Sequence, residues 1–348
     1  MSTEKDELKK FITEDGEVAK YIHKDGSETS IKHSKSIQNI INPLTDEIEK
    51  KKNDRNKYTI FISTTKGCFM ACKFCHLTMK GCEFKKLSDD NVLDNIKEAI
   101  IDSVERNPFL SDYYVKLSWM GMGDAFVEPK KVKEVSIKLL EWILENNYAI
   151  GLDGVDLSTV YPKVKSLSWV SEFSELNSKL KEFPLNPNNY KINQADPNYS
   201  KMTDYQNRTP FRLFYSIHSA IQSNREKMIP NAMPVADAIR TLTEECKDFN
   251  LIFHHIFLNK VNDSEEEQTE LHKLCAKYIQ NHELRILRYN ECNASLFYES
   301  NEFKGIIKEL SKHVNLLKIQ ISPGTEVKAA CGQFIVQEYV DPNIITKG

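Results

Sequence analysis

From residue 58 onward, apolar runs of strand length alternate with stretches of helical period, and this rhythm limits the fold more than any other feature. Strands are expected at 58–63, 113–119, 154–159, 212–218, 250–258, 284–289 and 316–321. Helices are expected between them, at 130–146, 169–181, 234–249, 265–279 and 302–313. The first crossover helix is capped by Ser88 and carries Val92, Ile96, Ala99 and Ile100 on one stripe. Strands separated by crossover helices build a parallel sheet. Six such βα units make an α/β partial barrel, open on one side, whose chemistry belongs at the C-terminal ends of its strands.

Residues 17–32 read as a hairpin about Lys24-Asp25-Gly26, because Asp-Gly supplies the positive φ of a tight turn. A polar helix is expected at 45–52, followed by a charged linker. The expected organisation is therefore a small β appendage with its linker (1–54), a core (55–335) and a tail (336–348). Residues 164–210 break the rhythm, and the Pro-, Asn- and Tyr-rich part from 184 to 210 reads as an inserted loop or lid. There is no internal repeat.

The loop leaving the first parallel strand contains Cys68, Cys72 and Cys75 at C-x3-C-x2-C spacing. Three thiolates this close can converge on one face of an iron-sulfur cube, and no fourth cysteine follows at a comparable interval, so one iron is left open to a small molecule. The alternative is a zinc site that recruits Cys82 or a distant cysteine as its fourth ligand. The chain has eight cysteines in 348 residues, and they form no secreted disulfide framework. A reducing, cytoplasmic setting is expected. The charged first ten residues carry no apolar leader core, no run reaches membrane-spanning length, and a monomer is expected. A net charge of -3 gives no global pull on nucleic acid, so contact with RNA needs a local patch. Lys66, Lys73, Lys80, Lys85 and Lys86 either form one or are simply a solvated lysine-rich loop.

The cysteine triplet resembles the cluster motif of radical S-adenosylmethionine enzymes. Further stretches, in order, resemble one of their subfamilies, the adenine-methylating RNA synthases RlmN and Cfr. They are Met120-Gly121-Met122-Gly123-Asp124, Ser158-Thr159, Ser216-Ile217-His218-Ser219, Arg225-Glu226-Lys227-Met228-Ile229-Pro230, Val261-Asn262-Asp263, Arg288-Tyr289-Asn290 and Ala329-Ala330-Cys331-Gly332-Gln333. The resemblance covers residues 17 to 335. It implies a [4Fe-4S] cluster on Cys68, Cys72 and Cys75, whose open iron chelates the methionine moiety of S-adenosyl-L-methionine. Reductive cleavage then gives a 5'-deoxyadenosyl radical. It also implies an rRNA or tRNA substrate and an electron donor such as flavodoxin or ferredoxin.

Gly123, Asp124, Ser158, Ser216, Ile217, His218 and Asn290 become the expected cofactor-binding residues. Glycines admit close backbone approach, and the polar groups sit at strand ends where they can orient a ligand. Taken singly, each is equally a cap or turn residue. Cys331, on its own a buried apolar residue by type, becomes the expected methyl carrier. An electron-poor ring carbon will not attack a sulfonium methyl, so the methyl is first stored on sulfur and then activated by hydrogen abstraction. Glu28, in Glu-Thr-Ser-Ile, matches the segment bearing the base that removes the ring proton; the alternative is an exposed hairpin glutamate.

The chain departs from the pattern at four places. Phe61 stands where the family has the second cysteine that releases the product, and a phenyl ring performs no thiol exchange. Cys82 is the nearest substitute. The loop has Asp124-Ala125 in place of Glu-Pro, residues 164–210 are extra, and only the hairpin precedes the core where the family has a helical RNA-binding domain. These departures keep two other readings open: radical chemistry on a nucleotide, DNA base or peptide, and a nonenzymatic metal-stabilised RNA-binding relative.

Overall fold

The computed structural model describes residues 8–33, 37–41, 48–52, 56–163, 168–187, 209–248, 250–290 and 296–320. One ten-stranded sheet organises them, and strand order across it follows chain order. Three antiparallel strands come first: β1 (Lys9–Ile12), β2 (Val18–Ile22) and β3 (Glu28–His33). Seven parallel strands follow: β4 (Lys57–Phe61), β5 (Tyr114–Trp119), β6 (Gly151–Thr159), β7 (Phe211–Ser216), β8 (Asn250–His255), β9 (Glu283–Leu287) and β10 (Leu316–Gln320). β3 pairs antiparallel with β4, with Ser30 opposite Phe61. The hairpin expected as an appendage is thus the antiparallel edge of the barrel wall, and β1 is a strand the sequence reading lacked.

The expected polar helix at 45–52 is corrected. Ile48–Lys52 is a strand paired antiparallel with Ile37–Ile41. Backbone pairing to the isoleucine-rich partner segment outweighs the weak helical preference of a Glu- and Lys-rich stretch.

The crossover helices are α1 (Asp89–Arg106), α2 (Pro129–Glu145), α3 (Ser168–Leu180), α4 (Gln222–Met228), α5 (Val235–Glu245), α6 (Glu265–Leu274) and α7 (Phe303–Leu310). Ser88 Oγ accepts from Asn91 N at 3.2 Å and caps α1, whose Val92, Ile96, Ala99 and Ile100 are all buried. Pro129, lacking an N–H, occupies the first turn of α2, where no partner is required. The core lies between helices and sheet. Val115, Leu117, Val155, Leu157, Leu213 and Tyr215 point into it, along with the α2 and α3 stripes.

Because strand side chains alternate, the neighbours of those residues face the barrel's concave side. Toward the N-terminal strand ends that side is charged. Lys57 Nζ lies 3.0 Å from Asp153, Arg212 Nε lies 2.5 Å from Asp156, and Lys116 pairs with Asp156 as well. The cations hold both carboxyls below their usual range, although burial pushes the other way. α3 occupies the start of the expected insertion, and residues 188–208 lie outside the described residues.

Candidate functional site

At the C-terminal ends of the strands lies an open cleft of about 980 Å³, a figure that includes solvent at its mouth. The loop after β4 forms one wall, and Cys68, Cys72 and Cys75 all line it. That loop is tied down from several sides. Lys73 N donates to Met228 O at 2.8 Å, Asn231 Nδ2 to Phe69 O at 2.7 Å, and Tyr289 Oη to Phe74 O at 3.0 Å. Ala71 takes a left-handed φ of 53°, the bend that brings the second cysteine round. Burial and mutual repulsion push the Cys68 thiol up to about 12 and Cys72 well above its ordinary value, while backbone N–H groups of Met70 and Gly123 act on Cys68 in the opposite sense.

The loop after β5 closes over the strand feeding the cysteines. A Cβ on Gly121 would stand 2.5 Å from the Ile62 carbonyl oxygen, and one on Gly123, at φ +98°, only 2.0 Å from Thr64 Oγ1. These glycines therefore admit the chain at 62–65 as much as any ligand. Asp124 lines the cleft, yet its carboxylate is largely spoken for. It accepts from Phe126 N at 2.9 Å, Thr159 Oγ1 at 2.8 Å and Val160 N at 2.9 Å, which leaves about one of roughly four acceptor sites. Burial raises its pKa to about 6 against those donors. It joins the β5 loop to the end of β6.

Ser158, His218 and Asn290 also line the cleft. His218 is buried with a φ of 57°, and its Nδ1 has no partner among the described residues. Burial chiefly, helped by His255, Arg225 and His254, pulls its pKa well below 6.5, so it is neutral. Ser216 and Ile217 are not among the lining residues. The Ile217 side chain lies in the core, its N–H donates to His254 O at 2.9 Å and its carbonyl accepts from Arg225 Nε at 3.0 Å. Both main-chain groups of Ile217 are thus engaged by protein.

Glu28 is buried at the edge of the wall, where its carboxylate lies 2.7 Å from Lys20 Nζ, with side chains 0% and 1% exposed respectively. It is no exposed hairpin residue, although it does not line the cleft. Phe61 sits on β4 between Ser30 and Ser118. Cys82, like Cys68 and Cys75, packs against Leu77 and Met122, but it is not among the cleft-lining residues. Cys331 lies outside the described residues.

Two motif residues have roles that sequence reasoning missed. Arg225 is buried and donates to Ile217 O at 3.0 Å, Val160 O at 3.0 Å and Tyr215 Oη at 3.0 Å, stitching β6 to β7. Asn262 receives Leu258 N at 2.6 Å and donates to His218 O at 2.5 Å and Ile256 O at 2.7 Å. The only signal was their place within ordered motifs.

Partial barrel, cysteine loop and strand-end cleft together resemble those of the radical S-adenosylmethionine superfamily. A radical SAM methyltransferase from Sphaerobacter thermophilus superposes with a TM-score of 0.62 at 17% identity, covering 94% of this chain and 80% of its own, which shows the fold. No family model matches the chain. In sequence the chain is similar to RlmN and Cfr, at about a quarter identity over most of its length. It is 25% identical over 314 residues to the dual-specificity RNA methyltransferase RlmN of Campylobacter hominis, covering 87% of this chain and 75% of that one. A probable RlmN of Nostoc punctiforme is 24% identical, with 82% of this chain and 66% of the relative covered, so the chain spans about two thirds of that relative. The ribosomal RNA large subunit methyltransferase Cfr of Clostridium botulinum is 24% identical, with 86% and 77% covered.

Among the described residues, no three Cys, His, Asp or Glu side chains are gathered closely enough for a single metal ion. The three cysteine thiols on one wall of the cleft are a donor set that an iron-sulfur cluster would accept. No helix among the described residues is long and apolar enough to cross a membrane.

Proposed function

We propose that the chain is a radical S-adenosylmethionine methyltransferase acting on an adenine ring carbon of rRNA or tRNA. The observation that carries this reading is the cysteine triplet on one wall of a cleft that Ser158, His218 and Asn290 also line. Cys68, Cys72 and Cys75 would hold a [4Fe-4S] cluster, which with bound S-adenosyl-L-methionine supplies a carbon-centred radical on one-electron reduction. Asp124 fixes the relative placement of two cleft-lining loops, and neutral His218 offers an uncharged nitrogen for a ligand's polar group. Cys331 is proposed as the methyl carrier. Glu28 is proposed as the base for the ring proton, with its carboxylate paired to Lys20. Reduced flavodoxin or ferredoxin is the proposed electron source.

Anaerobic incubation with methyl-labelled S-adenosylmethionine and candidate RNAs tests the proposal. Label is expected on Cys331 and then on adenosine, and an active, cluster-loaded sample with unlabelled Cys331 would refute the route. Phe61 favours a second reading, in which the radical machinery is kept and the substrate is a nucleotide, DNA base or peptide. Label that stops on protein with every RNA offered points to that reading.

A further inference from the structure

The outer side of the cysteine loop is built differently from its inner side. Phe69, between Cys68 and the buried Met70, is 52% exposed and absent from the cleft lining. Its ring meets that of Phe84, itself 37% exposed, edge-on at 6.2 Å between centroids. Beside them Thr65–Lys66 pairs antiparallel with Lys85–Lys86, and Lys66 stands directly opposite Lys85. Like charges directly opposite in such a pair repel. Between residues 66 and 86 there are five lysines and one acidic residue, Glu83. Lys86 is answered by Glu128 at 2.7 Å, whereas Lys66, Lys73 and Lys85 form no ion pair among the described residues. The fold thus sets a small exposed aromatic pair and a lysine-rich strand pair in the stretch that carries the three thiols.

We infer that this face is the docking surface of an acidic one-electron carrier protein. The inference rests on the proposed function, because an electron is needed only if a reducible cluster sits on Cys68, Cys72 and Cys75. In the step, the carrier is oxidised by one electron and the cluster is reduced by one. A small apolar centre with a charged rim is the build of brief electron-transfer encounters, which bury little area and are steered by charge. A polynucleotide would also feel the lysines. The two rings, however, are turned edge-to-face against each other, which offers no pair of parallel faces for successive bases, and neither ring lines the cleft.

The test uses the cluster-loaded chain with oxidised and reduced flavodoxin as the acidic carrier and the variants Phe84→Ala and Lys85→Glu. Wild-type binding to flavodoxin is expected to weaken as salt rises. Each variant should bind at least tenfold more weakly and lose a similar factor in flavodoxin-driven 5'-deoxyadenosine formation. Dithionite-driven formation should stay within twofold of wild type. Unchanged flavodoxin binding in the variants overturns the inference, as does an equal loss with both reductants, or a loss of RNA binding with carrier binding intact. If the wild type forms no 5'-deoxyadenosine even with dithionite, the proposed function fails, while the binding measurement still decides whether the surface exists.

Discussion

Asn262 shows how much of the site depends on one side chain that never meets a ligand. It is fully buried, and its amide satisfies the Leu258 N–H and the carbonyls of Ile256 and His218. The last of these bonds holds a residue with a left-handed backbone, a conformation that costs energy for any residue with a Cβ. Asn262→Ala would strand several buried polar groups at once. A loss of about 2–4 kcal/mol in urea unfolding is the expected outcome. The cysteines, and the polar residues at the strand ends, could be found in the sequence because spacing and type announce their chemistry. Asn262 and Arg225 could not be given roles, because their partners are main-chain atoms brought near only by the fold. The same holds for Ile217: nothing in the sequence shows that its own N–H and carbonyl are taken by protein.

At the level of elements, the strand–helix rhythm was legible because each parallel strand is an apolar run and each long helix carries a buried stripe. α1 keeps all four residues expected on its inner face. Pairing partners were less legible. Ile48–Lys52 is rich in charge and was read as helix, while β1, with Lys9 and Lys10, carries little strand signal yet pairs with β2. Tertiary context decides such segments. The β5 loop is an element whose sequence allows a sharp test. Gly121→Ala would set a methyl against the Ile62 carbonyl, which is main chain and has no rotamer to yield. The variant should lose about 2–3 kcal/mol of stability. Because this loop backs the cysteine wall, it should also retain less iron per chain after anaerobic reconstitution and desalting.

Across the whole molecule, buried imidazoles set the response to acid. Burial lowers His23 to about 4, and His254 and His255 to about 3. In the unfolded chain each would titrate near 6.5. The unfolded state therefore binds more protons in this window, and stability present above pH 6.5 is lost as pH falls toward 4. Asp124, raised to about 6, works in the opposite sense between there and the ordinary carboxyl range, but it is one group against three. The urea midpoint is expected to drop between pH 7 and pH 4.5. His255→Leu, which removes a buried ring with no partner for either nitrogen among the described residues, should flatten that drop. An unchanged midpoint across this range would mean that these rings take up protons while folded.

The ion pairs among Lys57, Lys116, Asp153, Asp156 and Arg212 have a further consequence for traffic. Passage between those pairs would require separating opposite charges that are already withdrawn from water, a barrier far larger than that of parting an apolar plug. Among the described residues, the open cleft at the opposite strand ends is therefore the easier way to the thiols.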